Sequence, residues 1–523
     1  MISRRRFLGL SAAAAGLSVA DPFGLFDSVA GAVPLPPVGG GGNIEHVVLV
    51  MLENRSFDHL LSWLPGADGR HDLTFRATDG NTYPNYPLAP DFQGCGYSDA
   101  DHSWEGWLVE NDNGALDGFL QRPGAFSDTP GVTAAAANTF PIGYYSNLNL
   151  DGTAKAQPDL PVLGALAQNY TVLDRYFSAI AAETFPNRFY QHSARTDRDH
   201  NTSTTSTLPA IWDQLSSTSG TAKPTGAYYF QDLPFLGLWG AKYLNFLRPY
   251  AAGQGPVPRL GTVHGTPFLD AVKGGTLPNV SFVDPSFVNE GAGTSGDDHP
   301  LADLRIGERT IADVYHALND AGYLDSTVLV ITFDEWGGFY DHVAPPVVAD
   351  DTNPVNVDHT GNNRPVAFPG PNHPDYGQLG FRVPCIVVSN YATARVVSTG
   401  PFEHTSTLSM IESLFSLQPL TARDASANDL GTVLAATKRS DNPSSRIPTS
   451  SQVPGPASGA AAACGPRSVQ SASPAARPSP ALPESPLAVG LPVAAALAGG
   501  AVLAARHLST RDPRTEAAGP SGS

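Results

Sequence analysis

The sequence predicts an α/β fold, a mostly parallel central sheet flanked by helices with long loop insertions. Two patterns predict it. Continuous apolar runs at 44–52, 326–333 and 382–389 read as strands buried on both faces, the mark of parallel pairing. Between them lie segments with helical period, clearest at 306–321, where apolar residues fall at 306, 311, 314, 315 and 318.

Taken in order, 44–52 is the first strand and turns at Glu53-Asn54. A helix over 56–63 ends at Pro65-Gly66. Residues 160–168 read as helix, 171–180 as strand or loop, and 186–194 as helix. After the helix at 306–321 come the strands 326–333 and 382–389 and an amphipathic helix over 405–415. Stretches rich in Gly, Pro and Asn at 66–100, 195–300 and 343–380 have the character of functional loops or insertions. The body, 43–450, reads as one large domain, with 195–300 as a cap or insert.

The chain has 523 residues, 41 % of them hydrophobic, and a formal net charge of −18. This excludes global disorder and argues against nucleic acid as a partner, since phosphate backbones demand clustered Lys and Arg. Three cysteines, Cys95, Cys385 and Cys464, are too few and scattered for a disulfide scaffold or structural zinc site. Whether Cys95 and Cys385 pair is left open.

The ends differ from the body. Ser3-Arg4-Arg5-Arg6-Phe7-Leu8 and the mild apolar run after it resemble a twin-arginine export signal, so 1–42 reads as signal peptide plus a four-glycine linker. Residues 451–486, rich in Pro, Ala and Ser, read as a stalk. Residues 487–505 are uncharged and long enough for a transmembrane helix, and Arg506, Arg511 and Arg514 mark 506–523 as a cytoplasmic tail. The expectation is an exported, extracytoplasmic body anchored to the bacterial cell membrane, with the twin-arginine export machinery as a partner. Leu482-Pro483-Glu484-Ser485-Pro486 loosely resembles a sortase motif, which keeps cell-wall attachment as an alternative.

Ligands in open parallel sheets bind beyond the carboxyl ends of the strands. Two strands end there on acidic doublets, Glu53-Asn54 and Asp334-Glu335. Four oxygen donors suit one hard divalent cation, such as Ca, Mg or Mn, of undetermined identity. The competing reading makes Asn54 and Asp334 helix caps. Thr184, beside Pro186, falls at a helix N-terminus, where the dipole attracts an anion and a hydroxyl near a metal becomes a nucleophile; a simple cap is the alternative. His102, His299 and His404 sit in polar loops or at helix starts, where imidazole binds phosphoryl oxygens or protonates a leaving group, the alternative being a loop histidine that is simply solvated. His342 has the same ambiguity. No Gly-x-Ser-x-Gly, Walker-type or His-Glu-x-x-His motif is present, which removes the serine esterase, P-loop and zincin classes.

These residues fall in five motifs: Glu53-Asn54-Arg55-Ser56-Phe57-Asp58, Thr184-Phe185-Pro186-Asn187-Arg188, Asp334 to Val343, Arg382-Val383-Pro384, and Glu403-His404-Thr405-Ser406. Together they resemble the bacterial phospholipase C and acid phosphatase phosphoesterase family, which includes plant non-specific phospholipases C. The resemblance covers about 44–415 and implies an alkaline-phosphatase-like fold. It implies a metal held by Glu53, Asn54, Asp334 and Glu335, with Thr184 at the metal as nucleophile. His102, His299 and His404 would surround the phosphoryl group. Trp336 stands where several relatives carry a polar residue, and the C-terminal β-domains of some secreted phospholipases C are missing. The function implied is a metal-dependent phospholipase C acting on phospholipid through a Thr phospho-enzyme. The alternatives are a phosphomonoesterase acting on small phosphoesters and a catalytically inactive surface binding protein.

Overall fold

The computed structural model describes residues 43–455 apart from 95–96, 98, 122–138, 255–262, 289, 291–292 and 361–372. The expected signal segment, the stalk beyond residue 455, the membrane span and the tail lie outside the described residues, as do Cys95 and Cys464. Among the described residues no helix is long and apolar enough to cross a membrane. Cys385 is a buried free thiol.

The sheet is built from β1 (His46–Leu52), β2 (Thr171–Leu173), β3 (Gly226–Phe230), β4 (Leu247–Pro249), β5 (Val280–Asp284), β6 (Thr327–Phe333), β7 (Cys385–Val388) and β8 (Arg395–Val397). Their order across the sheet is β8-β2-β7-β6-β1-β5-β3-β4. β1 lies at the centre, parallel to β5 on one side and to β6 on the other, in register from His46 opposite Thr327 to Leu52 opposite Phe333. Only β7 runs against its neighbours β6 and β2. All seven residues of β6 are buried, as the unbroken apolar run requires of a strand covered on both faces.

The helices are α1 (Phe57–Leu61), α2 (Trp104–Asn111), α3 (Leu163–Asn169), α4 (Thr184–Ser193), α5 (Phe268–Lys273), α6 (Leu304–Asp320), α7 (His404–Phe415) and α8 (Ala422–Ser426). Ser56 caps α1 by accepting from the His59 N–H, and Asp303 caps α6 by accepting from Arg305. α6 buries Ile306, Ile311, Val314, Tyr315 and Leu318, the face its periodicity marked. α4 is buried on every side.

Residues 195–300, expected as a cap or insert, instead supply β3, β4 and β5. Gly226 to Phe230 (GAYYF) and Val280 to Asp284 (VSFVD) are five-residue strands set among glycine- and proline-rich connections. Such short runs carry too little periodicity to stand out.

α6 is tied to the start of α3 by Glu308, whose carboxylate accepts from the Val162 N–H at 2.5 Å and the Leu163 N–H at 3.1 Å. Burial outweighs those bonds and pushes the Glu308 carboxyl from 4.5 up to about 7. A folded-state value above the unfolded one means that protonation favours the fold. This contribution is full below the unfolded value and is lost as pH rises through about 7. Thermal melts are expected to show stability falling between about pH 5 and 8, and Glu308→Gln to flatten that slope. An unchanged slope in the variant would assign the pH dependence elsewhere.

Candidate active site

Because β1 and β6 are parallel and in register, the residues after Leu52 and Phe333 leave the sheet at the same edge. The Asp334 N–H donates to the Leu52 carbonyl at 3.0 Å and the Arg55 N–H to the Glu335 carbonyl at 3.0 Å, so the two doublets are laced together. Neither acts as a helix cap. Ser56 caps α1, and Asp334 enters a turn, its Oδ1 accepting from the Asn54 N–H at 3.0 Å and the Glu335 N–H at 2.8 Å.

Asn54 takes a left-handed backbone, φ 60°. Asparagine tolerates this better than most residues. Gly337 permits the close approach of the second turn: a Cβ there would stand 2.1 Å from the Asn54 carbonyl oxygen. Trp336 is fully buried and donates its indole N–H to Glu110 of α2 at 2.8 Å.

Thr184 is the first residue of α4, and its hydroxyl donates to Asn54 Oδ1 at 3.3 Å. The turn before it is fixed by Asn187, which accepts from the Ile180 N–H at 3.0 Å and donates to the Ala182 carbonyl at 2.7 Å. The Asn54 amide nitrogen faces His102 Nε2 at 3.4 Å, while His102 Nδ1 lies 2.7 Å from the Ala100 carbonyl. This pattern places the ring proton on Nδ1 and leaves Nε2 as the acceptor. Asn54 thus stands between the hydroxyl of Thr184 and the imidazole of His102.

His299 reaches the same region on another loop. The Glu53 N–H donates to the Asp297 carbonyl at 2.8 Å and Arg55 Nε to the Asp298 carbonyl at 2.7 Å. His299 Nδ1 donates to the Pro300 carbonyl at 2.7 Å, and its Nε2 is 4.0 Å from Asp99. His404 differs from expectation. Its Nε2 donates to the Asp334 carbonyl at 2.6 Å and its Nδ1 faces the Tyr176 hydroxyl at 3.3 Å. Burial holds it below the usual imidazole range, and with both nitrogens engaged it supports Asp334 instead of facing the phosphoryl group. His342 lies apart, against Asp58 and Asp68 beside Arg382, in a structural ion-pair network.

Arg188 is the residue whose role the sequence did not disclose. One turn beyond Thr184 on α4, it bonds Asp334 Oδ2 at 3.1 Å, Glu53 Oε1 at 3.1 Å and Asp284 Oδ1 at 3.4 Å. It also donates to the Met51 and Leu52 carbonyls at 3.3 and 3.4 Å. Its three carboxylate partners follow β6, follow β1 and end β5, three adjacent strands. Burial opposes the charge, but these carboxylates hold the guanidinium protonated. Asp284, which also accepts from the Tyr228 hydroxyl, is pushed by burial up to about 6.

The donor set fits a hard cation. Burial raises Glu53 well above the ordinary carboxylate range, and among the described residues its Oε2 has no hydrogen-bond partner, whereas Oε1 is bound to Arg188. Oxygens of Glu53, Glu290 and Asp297 lie within 4.8 Å of one another. Glu290 and Asp297 were not among the expected ligands; the signal available for Asp297 was its place in Asp297-Asp298-His299.

The Thr184 hydroxyl thus lies at a helix N-terminus beside the end of β1, with Asn54 between it and an imidazole. The sequence profile of the Phosphoesterase family matches residues 44–418, and the chain belongs to that family. "Phospholipase C B" of Mycobacterium tuberculosis is 30 % identical over 469 residues, covering 82 % of this chain and 85 % of the relative. "Non-specific phospholipase C6" of Arabidopsis thaliana is 30 % identical over 430 residues, covering 76 % and 74 %. Among solved structures, a phosphonate monoester hydrolase of Agrobacterium radiobacter aligns with TM-score 0.33 and 10 % identity over 76 % of this chain and 78 % of that one. A protein in the alkaline phosphatase superfamily from Vibrio parahaemolyticus aligns with TM-score 0.27 and 11 % identity over 53 % and 64 %.

Removing one partner of a buried ion cluster leaves charge uncompensated, at about 3–5 kcal/mol. Arg188→Ala is expected to lose stability on that scale and to lose activity, measured by urea unfolding and turnover. A loss below about 1 kcal/mol would show that Arg188 does not hold the strand ends.

Proposed function

We propose that the chain is an exported, metal-dependent phospholipase C that cleaves the glycerol–phosphate ester of phospholipids through a phosphothreonine at Thr184. One observation carries the reading: the Thr184 hydroxyl lies at the start of α4, bonded to Asn54 and opposite the acidic strand ends. The names of the relatives support the substrate class. Glu53, Asn54, Asp334, Glu335 and Thr184 would hold one divalent cation, with oxygen donors favouring Ca, Mg or Mn. When bound, such an ion lowers the pKa of the hydroxyl and neutralises phosphoryl charge.

The Thr184 hydroxyl loses its proton to solvent as its oxygen attacks phosphorus, forming the Thr–O–P bond as the bond to the glycerol oxygen breaks. His299, protonated on both nitrogens in this step, gives the departing oxygen its Nε2 proton, and the Asn54 amide held by His102 orients a phosphoryl oxygen. Water then attacks the phosphothreonine, releasing the phosphorylated head group and restoring the hydroxyl. A cavity of about 410 Å³ opens on Trp104, two residues beyond His102, with Pro374 and Tyr376 among its walls. Asp350, Thr352 and Asp375 share its lining, so its walls are mixed apolar and acidic.

Phosphatidylcholine vesicles and nitrophenyl phosphorylcholine are expected to be turned over, with nitrophenyl phosphate slower. Turnover of the monoester alone would replace this reading with the phosphomonoesterase. Chelation is expected to abolish activity and a divalent cation to restore it. Thr184→Ala is expected to reduce kcat by about 10³-fold or more with the fold intact; near-full turnover would remove Thr184 as nucleophile.

For export, the twin arginine and the span at 487–505 support a body outside the membrane. Replacing Arg4, Arg5 and Arg6 with Lys is expected to leave the enzyme in the cytoplasmic fraction. Unchanged export would rule out the twin-arginine route.

A further inference from the structure

His200 lies in the loop after α4, its side chain only 1 % exposed. Its Nδ1 is 2.8 Å from Asp199 Oδ1 and its Nε2 is 3.2 Å from Glu105 Oε2. A neutral imidazole has one N–H and serves one of these carboxylates; an imidazolium serves both. Glu105 lies on α2, three residues beyond His102. The second oxygen of Asp199 is 2.5 Å from His359 Nδ1.

The next residue grips the nucleophile turn. Asn201 accepts from the Phe185 N–H at 2.7 Å, and its own N–H donates to Glu183 Oε2 at 2.6 Å. Glu183 and Phe185 are the two neighbours of Thr184. The segment 199–201 therefore holds both sides of Thr184 through Asn201 and, through His200 and Glu105, the helix that follows His102.

We propose that His200 is a positioning residue: as an imidazolium clasped between Asp199 and Glu105, it locks the segment carrying His102 against the Thr184 turn. Its catalytic consequence rests on the roles given above to Thr184 and His102; the clasp itself does not. The charged groups facing it are Glu105 from α2, Glu183 from the turn before α4, Asp199 from its own loop, and His359 across Asp199. Burial opposes the cation, but the bonds to Asp199 and Glu105 and the nearby Glu183 outweigh it and push the imidazole up to about 10. A clasp of this kind acts on geometry, so its loss lowers kcat more than it raises KM.

The test uses the full chain labelled with ¹⁵N-histidine. NMR is expected to show an imidazolium that persists to about pH 9 and is absent from His200→Gln. His200→Gln and Glu105→Gln are each expected to lower kcat by about tenfold or more with KM within about twofold, and the double variant to be no worse than the weaker single one. A folded variant with kcat within about threefold of wild type, additive losses, or no persistent imidazolium overturns the proposal. Should His200→Gln fail to fold, Glu105→Gln decides by the same kinetic criterion. Turnover surviving Thr184→Ala would sink the nucleophile reading, while the imidazolium signal would remain, so the two failures are distinct.

Discussion

One guanidinium holds the ends of the three central strands together. Arg188 faces carboxylates from the ends of β5, β1 and β6, at 3.4, 3.1 and 3.1 Å. Three acidic groups converging in a buried space would repel one another and the fold would open or protonate them; a fixed cation among them offsets part of that cost. The same side chain is anchored on α4, whose first residue is Thr184. The charge balance of the sheet edge and the placement of the hydroxyl are thus a single constraint.

Much of this was legible because the signals are local. The apolar runs that became β1 and β6 are long and unbroken, and their terminal doublets fall where parallel strands deliver ligands. Thr184 was marked by Pro186 and by the helix that follows. Motif order then supplied the family, which the profile match over 44–418 bears out.

What escaped was the pairing of distant residues. Arg188 was visible as part of Thr184-Phe185-Pro186-Asn187-Arg188, but nothing nearby shows that its partners lie at 53, 284 and 334. β3 and β5 lie inside a stretch with the composition of an insert, and five-residue strands between loops show no clear period. A histidine at a helix start, such as His404, is compatible with facing substrate; the 2.6 Å contact to the Asp334 carbonyl shows that its ring is spent on support. His200 sat in a polar loop, where single histidines give no warning of two carboxylates closing on them from opposite sides.

The central place of β1 also bears on the order of assembly. β1 begins at His46, yet its two neighbours start at Val280 and Thr327, so its flanks stay open until most of the body has been synthesised. The bond from the Asn54 N–H to Asp334 spans 280 positions. Contacts of such sequence separation form late, after the entropy of closing very long loops has been overcome. No fragment that stops short of Asp334 contains the site, and a nascent chain carries Thr184 and Arg188 long before the groups that give them chemical meaning exist. Activity is in this sense a report that the whole body has closed.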